Sequence, residues 1–351
     1  MSAAALTLGP STALASGFAL LEQSASRLGT AFAGTAAAAD DATTIGDRLA
    51  VGIDAPFGLK LEYDDGWIGR FQALLSEIET MNFNPSVAWR VNDRISLGAG
   101  VSHQRLDAEL TNAVNYSAVV AQGVQQLVLL GQLPPAAAPA VIAANAGLEG
   151  HAQVRGDDDA WGFNVGLLFD LSERTRVGLS YRSAIEYEVG GTVAFAPAQA
   201  TNPVGVGIIA AASAPGAPLS NGNVSVDLEL PDSAVLSLRH DFANKYALFA
   251  DVGWTGWSSI QELRIVRDNG AVVSVTPERW KDAWRYALGA SYEMSDQLTL
   301  RAGVAYDETP VPDETRTPRL PDADRTWVAI GARWQPSQAM TLDFGYAHLF
   351  S

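Results

Sequence analysis

"GFNVGLLFDL", residues 162–171, carries the pattern on which the fold of this chain turns. In an extended strand successive side chains point to opposite faces. Phe163, Val165, Leu167, Phe169 and Leu171 therefore share one face, and Gly162, Asn164, Gly166 and Asp170 the other. The same period of two recurs from residue 83 onward. In "RISLGAGVSHQ", residues 94–104, Ile95, Leu97, Ala99 and Val101 alternate with Ser96, Gly98, Gly100 and Ser102. Val177, Leu179 and Tyr181 repeat it, as do every second residue from Leu298 to Tyr306, and Leu342, Phe344 and Tyr346.

A soluble sandwich alternates too, so the connectors arbitrate. Short polar turns at Asn92-Asp93, Ser172-Glu173, Ala243-Asn244, Ser295-Asp296 and Pro336-Ser337 join one set of neighbours. Long segments, roughly 108–157, 189–223, 255–281 and 308–323, join the other. Short turns on one side and long loops on the other is the pattern of an outer-membrane barrel. A Greek-key sandwich has no reason to sort its connectors this way. Trp89, Trp161, Tyr181, Trp254, Tyr292, Tyr306, Trp334 and Tyr346 sit mostly near strand ends, where amphipathic rings collect at membrane interfaces. No run of about eighteen apolar residues marks a transmembrane helix, but barrel strands need only about 9 to 11 residues with every second one apolar.

Composition excludes several function classes. The chain has 351 residues, no cysteine and a formal net charge of −16. Thiol catalysis, thiolate metal sites and disulfides are absent together, and the acidity argues against a nucleic-acid partner, which needs clustered Lys and Arg. The start, "MSAAALTLGPSTALA", resembles the end of a signal peptide, with Ala13-Leu14-Ala15 fitting the small-residue cleavage rule, although a positively charged n-region is missing. His103, His151, His240 and His348 lie on separate predicted strands or loops, and neither G-x-S-x-G nor H-E-x-x-H occurs. The reading is of a protein that is not an enzyme and carries no cofactor or metal; a solvated turn accounts for Asp157-Asp158-Asp159, which lacks the spaced ligands of a calcium loop.

The longest connector is apolar. Val119, Val120, Val124, Leu127, Val128 and Leu130 fall at helical spacings before Pro134-Pro135, and "VGVGIIAAASAPGAPL" supplies a second greasy loop. Such loops either pack on one another or meet an apolar ligand. Residues 16–44, "SGFALLEQSASRLGTAFAGTAAAADDATT", differ again, with sparse large apolar residues scattered among Gly, Ala and Ser.

These pieces together resemble the FadL family of outer-membrane transporters for long-chain fatty acids and other hydrophobic compounds. The resemblance rests on "SGFALLEQSASRLGTAFAGTAAAADDA", residues 16–42, "APFGLKLEYDDGWIGRF", "GWSSIQELRIV", "KDAWRYALGASY" and "DETPVPDETRTPRLPDADRTWVAIG", in that order. It implies an all-β, antiparallel transmembrane barrel of fourteen strands, of which about 11 or 12 are readable here, in the outer membrane of a Gram-negative bacterium. Residues 1–15 are then a signal-peptide remnant, 16–46 an N-terminal hatch plugging the lumen, and 47–351 the barrel with partly helical extracellular loops. Small residues suit irregular backbone packed inside a barrel. Two departures fall at the seam where first and last strands meet: the family's Asn-Pro-Ala motif is missing after the hatch, and the chain stops at "YAHLFS". Either the barrel closes with fewer strands or the sequence is incomplete relative to the functional protein.

The resemblance further implies a monomer that takes up a hydrophobic small molecule (a fatty acid, detergent or hydrocarbon) passively and contacts outer-membrane lipid. Val124, Leu127, Val128 and Leu130 are the loop-capture candidates; Phe18, Leu21, Leu28 and Phe32 the hatch residues for ligand contact; Gly98 and Gly100 the kink for lateral release, or space for the hatch. Arg105, Arg182, Arg239, Arg301 and Arg333, facing inward or near strand ends, are candidates for a carboxylate head group, or members of an ion network with Asp170, Asp251, Asp343 and Glu293. An uptake channel for neutral aromatic or aliphatic hydrocarbons, a barrel-type hydrolase and a general porin are the competing readings.

Overall fold

The computed structural model describes residues 17–20, 25–37, 48–243, 245–337 and 340–351; Leu21 and the 1–15 segment lie outside the described residues. The strands are β1 (Arg48–Asp54), β2 (Gly58–Glu62), β3 (Leu75–Arg90), β4 (Ile95–Asn115), β5 (Glu149–Ser172), β6 (Thr175–Arg182), β7 (Ile185–Ala196) and β8 (Gly222–Leu230), then β9 (Ser233–Asp241), β10 (Tyr246–Thr255), β11 (Glu262–Arg267), β12 (Val272–Pro277), β13 (Ala283–Ser295), β14 (Leu298–Asp307), β15 (Arg325–Ser337) and β16 (Met340–Phe350). All sixteen join one antiparallel sheet. β1 and β2 both pair with β3, β6 and β7 both with β5, and β8/β9, β10/β11 and β12/β13 likewise follow one another along a single wall position. Five positions thus hold two segments and six hold one, which makes eleven wall positions in chain order. Among the described residues β1 and β2 pair only with β3 and β16 only with β15, and an odd count makes these two edges run in the same direction.

The wall is a barrel wall because its outer face is greasy. Leu97, Val101, Phe163, Val165, Leu179, Leu236, Leu248, Leu288, Val304, Ile330 and Phe344 all project outward and are exposed. Trp161, Trp284 and Tyr306 rim one edge of this band; Trp89, Tyr246 and Trp334 rim the other, next to the short turns. No helix among the described residues is long and apolar enough to cross a membrane.

Beyond the Trp161 rim the pattern inverts. In β4 the outward positions become His103, Arg105, Asp107 and Glu109, while Leu106, Ala108 and Leu110 turn inward. β7 does the same with Glu186 and Glu188 outside and Ile185, Tyr187 and Val189 buried. Strands therefore continue well past the membrane into water. This corrects the expected connectors: β4 runs to Asn115 and β5 starts at Glu149, so part of 108–157 is strand, as is part of 189–223. Asp157, Asp158 and Asp159 accordingly lie within β5, not in a turn.

The breaks between paired segments line up at this inversion. Asp54 stands opposite Asn82, Gln104 opposite Ala160, Arg182 opposite Ser233, and Thr255 opposite both Ser233 and Ala283. Three of the five breaks turn bulky groups into the lumen: Phe57 between β1 and β2, Trp257 and Ile260 between β10 and β11, and Trp280 between β12 and β13. Above the wall, α2 (Tyr116–Leu129) and α3 (Ala138–Ala144) follow β4, and α4 (Pro203–Ala212) follows β7. Asn115 caps α2 by accepting the Ala118 N–H at 2.9 Å, and Asn202 caps α4 by accepting from Gly205. Val120, Val124 and Ile209 are buried where the helices meet, so the greasy loops pack on one another.

Candidate functional site

The inverted upper strands enclose an apolar cavity of about 940 Å³ of space between atoms, its mouth included. Leu59, Ile78, Leu106, Leu110, Val189, Val226 and Ile265 form its sides. Its floor is aromatic, with Phe18 and Trp280 lining the cavity and Phe57 and Trp257 packed behind them. The Phe18 ring centroid lies 5.0 Å from that of Trp257, 5.7 Å from Phe57 and 6.0 Å from Trp280, and the two tryptophans are 5.3 Å apart. Each such pair contributes about 0.5–1.5 kcal/mol beyond area burial.

Two charged groups interrupt the apolar lining from loops beyond the membrane. Arg319, in the segment after β14, donates to the Leu75 carbonyl at 3.3 Å, to Ser76 Oγ at 3.1 Å and to Asn112 Oδ1 at 3.4 Å. No carboxylate among the described residues forms an ion pair with it. Glu278, between β12 and β13, is buried and accepts the Trp280 Nε1–H at 3.0 Å. Burial pushes its carboxyl up to about 7, only partly offset by the Trp280 hydrogen bond and the Arg319 charge. Arg155 also borders the cavity, but its guanidinium turns outward to Glu109 at 2.9 Å.

The N-terminal segment touches the wall in two places. Residues 17–20 are held near the cavity: Ala19 bridges to Phe57, and the Gly17 N–H donates to Asp322 Oδ2 at 3.0 Å. Asp322 also accepts from Thr309 Oγ1 at 2.7 Å and Arg325 Nη2 at 3.2 Å. Residues 27–37, beginning in α1 (Ala25–Leu28), seat on β9, β10 and β13–β16. Asp251 accepts the Gly34 and Thr35 N–H groups at 2.7 and 3.0 Å, and Arg285 donates to the Ala31 carbonyl at 2.6 Å. Wall glycines admit this backbone: a Cβ at Gly303 would stand 2.2 Å from the Thr30 carbonyl carbon, and one at Gly178 would stand 2.0 Å from the Ala36 oxygen.

Opposite this anchor, along β1 and β3–β6, the lower lumen is open and polar. Asp54, Asn84, Ser86, Ser96, Asn164, Ser180 and Arg182 line it. Asn84 Nδ2 donates to Asn164 Oδ1 at 2.6 Å, to Ser102 Oγ at 2.9 Å and to the Val101 carbonyl at 3.2 Å. The last contact fills a gap. Ladder pairing between β3 and β4 stops after Phe83 opposite His103 and resumes at Ser86 opposite Gly100, because Pro85 has no N–H to give.

Phe18 forms the cavity floor, and Phe32 lines the space beneath it while packing edge-on against Trp327 at 6.4 Å. Leu28 packs on that same anchor cluster. Gly98 and Gly100 lie in β4, where the ladder to β5 runs without a shift from Ile95 opposite Phe169 to Asn115 opposite Glu149; Gly100 leaves room for the side chains of Ser86, Asn84 and Asn164. Val124 is buried under α4, Leu127 and Val128 are half-buried, and Leu130 is exposed beside Leu129 at the tip of α2.

The five arginines do not converge. Arg105 faces outward, a correction to the expected inward placement: its strand has already inverted, and Asp107 at 3.0 Å and Asp157 at 2.9 Å hold it outside. Arg182 lies 3.5 Å from Asp54 in the lower lumen, and Arg239 pairs with Asp241 near a short turn. Arg301 and Arg333 share Asp343 at 2.8 and 3.0 Å, beside the hatch anchor. Of the carboxylates expected in an ion network with them, Asp343 pairs with Arg301 and Arg333, whereas Asp170 pairs with Arg176 and Asp251 accepts backbone N–H groups. Arg319 went unnoticed in the sequence because it sits in an irregular, Pro-rich loop without periodicity to orient it. The histidines remain apart: His103 contacts Asp159 on the outer face and His240 contacts Thr175 near a turn.

Residues 42–351 match the family model described as outer membrane protein transport protein (OMPP1/FadL/TodX). The long-chain fatty acid transport protein of Escherichia coli is 29% identical over 301 residues, covering 85% of this chain and 66% of that protein. Outer membrane protein P1 of Haemophilus influenzae is 31% identical over 315 residues, 86% of this chain and 62% of the relative. A solved FadL homologue of Pseudomonas aeruginosa superposes with a TM-score of 0.72 at 29% identity, over 87% of this chain and 68% of that one. The toluene transporter TodX of Pseudomonas putida shares the fold, with a TM-score of 0.56 at 18% identity over 85% of this chain and 71% of that structure. The chain thus spans about two thirds of the length of its relatives. It belongs to the OMPP1/FadL/TodX family of outer-membrane transport proteins.

Proposed function

We propose that the chain carries out passive uptake of long-chain fatty acids or chemically similar amphiphiles. The observation that carries this reading is Arg319, a cation without an ion-pair partner among the described residues, bordering a cavity whose lining is mostly apolar, with Glu278 the second charged group. The cavity takes the acyl chain, for which each CH₂ removed from water contributes about 0.8 kcal/mol, and the guanidinium takes the carboxylate. The exposed tip of α2, with Leu129 and Leu130, offers the first apolar contact. Release requires residues 17–20 to withdraw Phe18 while 27–37 stay seated. Beyond the floor the lumen is more polar than the cavity, so a greasy cargo gains less by continuing to the far side. The interrupted ladder at Pro85 lies within the lipid-facing band, between exposed Phe83 and Val87, and is the exit this reading favours.

A channel for neutral hydrocarbons is the second reading, favoured by how little of the cavity is polar. Binding of palmitate and of methyl palmitate to detergent-purified protein separates the two. Palmitate binding that weakens by about tenfold or more in Arg319→Gln, with the ester unaffected, supports the fatty-acid reading, since a hydrogen bond to a charged group contributes about 1.5–3 kcal/mol. Equal binding of acid and ester, indifferent to Arg319, supports the hydrocarbon channel.

A further inference from the structure

Between the apolar cavity and the polar lower lumen lies a stratum that neither cavity includes. On β3 the inward residues descend from Ser76 and Ile78, which line the upper cavity, through Thr80 and Asn82 to Asn84 and Ser86 in the lower lumen. On β4 they descend from Leu110, Ala108 and Leu106 through Gln104 and Ser102 to Gly98 and Ser96. Asn82 stands directly opposite Gln104, and both are 0% exposed. The Asn82 amide nitrogen donates to Asp54 Oδ1 at 2.8 Å, but Asn82 Oδ1 and both polar side-chain atoms of Gln104 have no hydrogen-bond partner among the described residues.

Buried amides of this kind are costly to leave unpaired, and a wall that only packs the hatch would favour apolar side chains there. A carboxylic acid, alcohol or amide leaving the cavity meets a donor in Gln104 Nε2 and acceptors in Gln104 Oε1 and Asn82 Oδ1. A hydrocarbon meets none that it can use. Sites built to hydrogen-bond a ligand discriminate strongly against analogues that lack the group. Resting on the uptake reading above, we propose that Asn82 and Gln104 form a polar threshold beneath the cavity that passes cargo bearing a hydrogen-bonding head group in preference to plain hydrocarbon.

The test measures cavity binding in detergent and flux in proteoliposomes for palmitic acid, 1-hexadecanol and hexadecane, with wild type, Gln104→Met and Asn82→Leu. Gln104→Met keeps the length of the side chain and removes its hydrogen bonds. Binding of all three probes should stay within about twofold of wild type, which also reports a folded barrel. Flux of the acid and the alcohol should fall by about tenfold, the equivalent of one lost hydrogen bond, while hexadecane flux is unchanged or faster. Asn82→Leu should act in the same direction. An equal fall for all three probes, or no change for any, overturns the inference while cavity binding still supports uptake. Wild-type protein that binds none of the three overturns the uptake reading and the threshold with it.

Discussion

Phe18 and Trp257 meet with ring centroids 5.0 Å apart at an interplanar angle of 60°, and this contact joins the described start of the N-terminal segment to the break between β10 and β11. Phe18 is the element of the cavity floor that belongs to the N-terminal segment and not to the wall. Its neighbours Phe57, Trp257 and Trp280 are all held by strand breaks. Removing its ring should therefore open the floor without unseating the wall. Phe18→Ala should weaken binding of palmitate several-fold, because Phe18 lines the cavity, yet raise leak conductance in planar bilayers. Unchanged conductance would place the seal elsewhere.

Glu278 sets the pH dependence. Its carboxyl is raised from 4.5 to about 7, so the folded protein holds this proton more tightly than the unfolded chain does. The stability it contributes is complete below the ordinary carboxylate range and is lost as pH rises through about 7. Ionisation also places a negative charge in the cavity beside Arg319. Palmitate affinity should fall between about pH 6 and about pH 8, methyl palmitate affinity should move less, and Glu278→Gln should remove the difference. A pH profile for palmitate that survives in Glu278→Gln would assign the titration to another group.

The seating of residues 27–37 on the wall depends on close backbone approach. Any side chain at Gly303 meets Thr30 backbone, which no rotamer change relieves, and overpacking of this kind costs typically about 1–3 kcal/mol. Gly303→Val should displace residues 27–37. Trypsin cleavage at Arg27, whose guanidinium now donates to the Thr35 carbonyl at 3.1 Å, should become faster than in wild type. The wall itself should keep its resistance, since Gly303 remains paired with Gly289 and Ala329.

Much of the wall was legible because membrane strands must alternate in a fixed phase, apolar toward lipid. Phe163, Val165 and Leu167 are outward as that rule requires. The upper strands were harder to see since their phase is opposite: Leu106, Ala108 and Leu110 are apolar at even positions where Leu97, Ala99 and Val101 are apolar at odd ones. A search for one continuous apolar face stops at the flip, and the remainder looks like loop. The α2 pattern was legible from helical spacing, and its buried Val120 and Val124 follow from it. The cavity's charged groups were not. Glu278 and Arg319 sit in irregular connections, where no period orients a side chain and only the closing of several loops over one space gives them a common neighbour.

The missing rung at Pro85 leads to a test of lateral exit. Among β3 residues, Phe83 and Val87 are half-exposed on the lipid face, so the gap between them lies at membrane depth. There an unpaired backbone group is costly, and Asn84 compensates by donating to the Val101 carbonyl. Within the gap itself, between Phe83 and Ser86, separating β3 from β4 breaks that side-chain contact with no ladder pair to open. Phe83 and His103 are directly opposite, with both side chains outward, and the chain has no cysteine of its own. Phe83→Cys with His103→Cys therefore gives a clean staple, since paired positions of a sheet fall within the Cα separation of about 4.4–6.8 Å that a disulfide tolerates. Oxidation should leave palmitate binding intact and cut its transfer into the surrounding bilayer by about tenfold or more, with recovery on reduction. Transfer that is indifferent to the staple would mean that cargo leaves by another route, through the polar lumen or at the β1 and β16 edges.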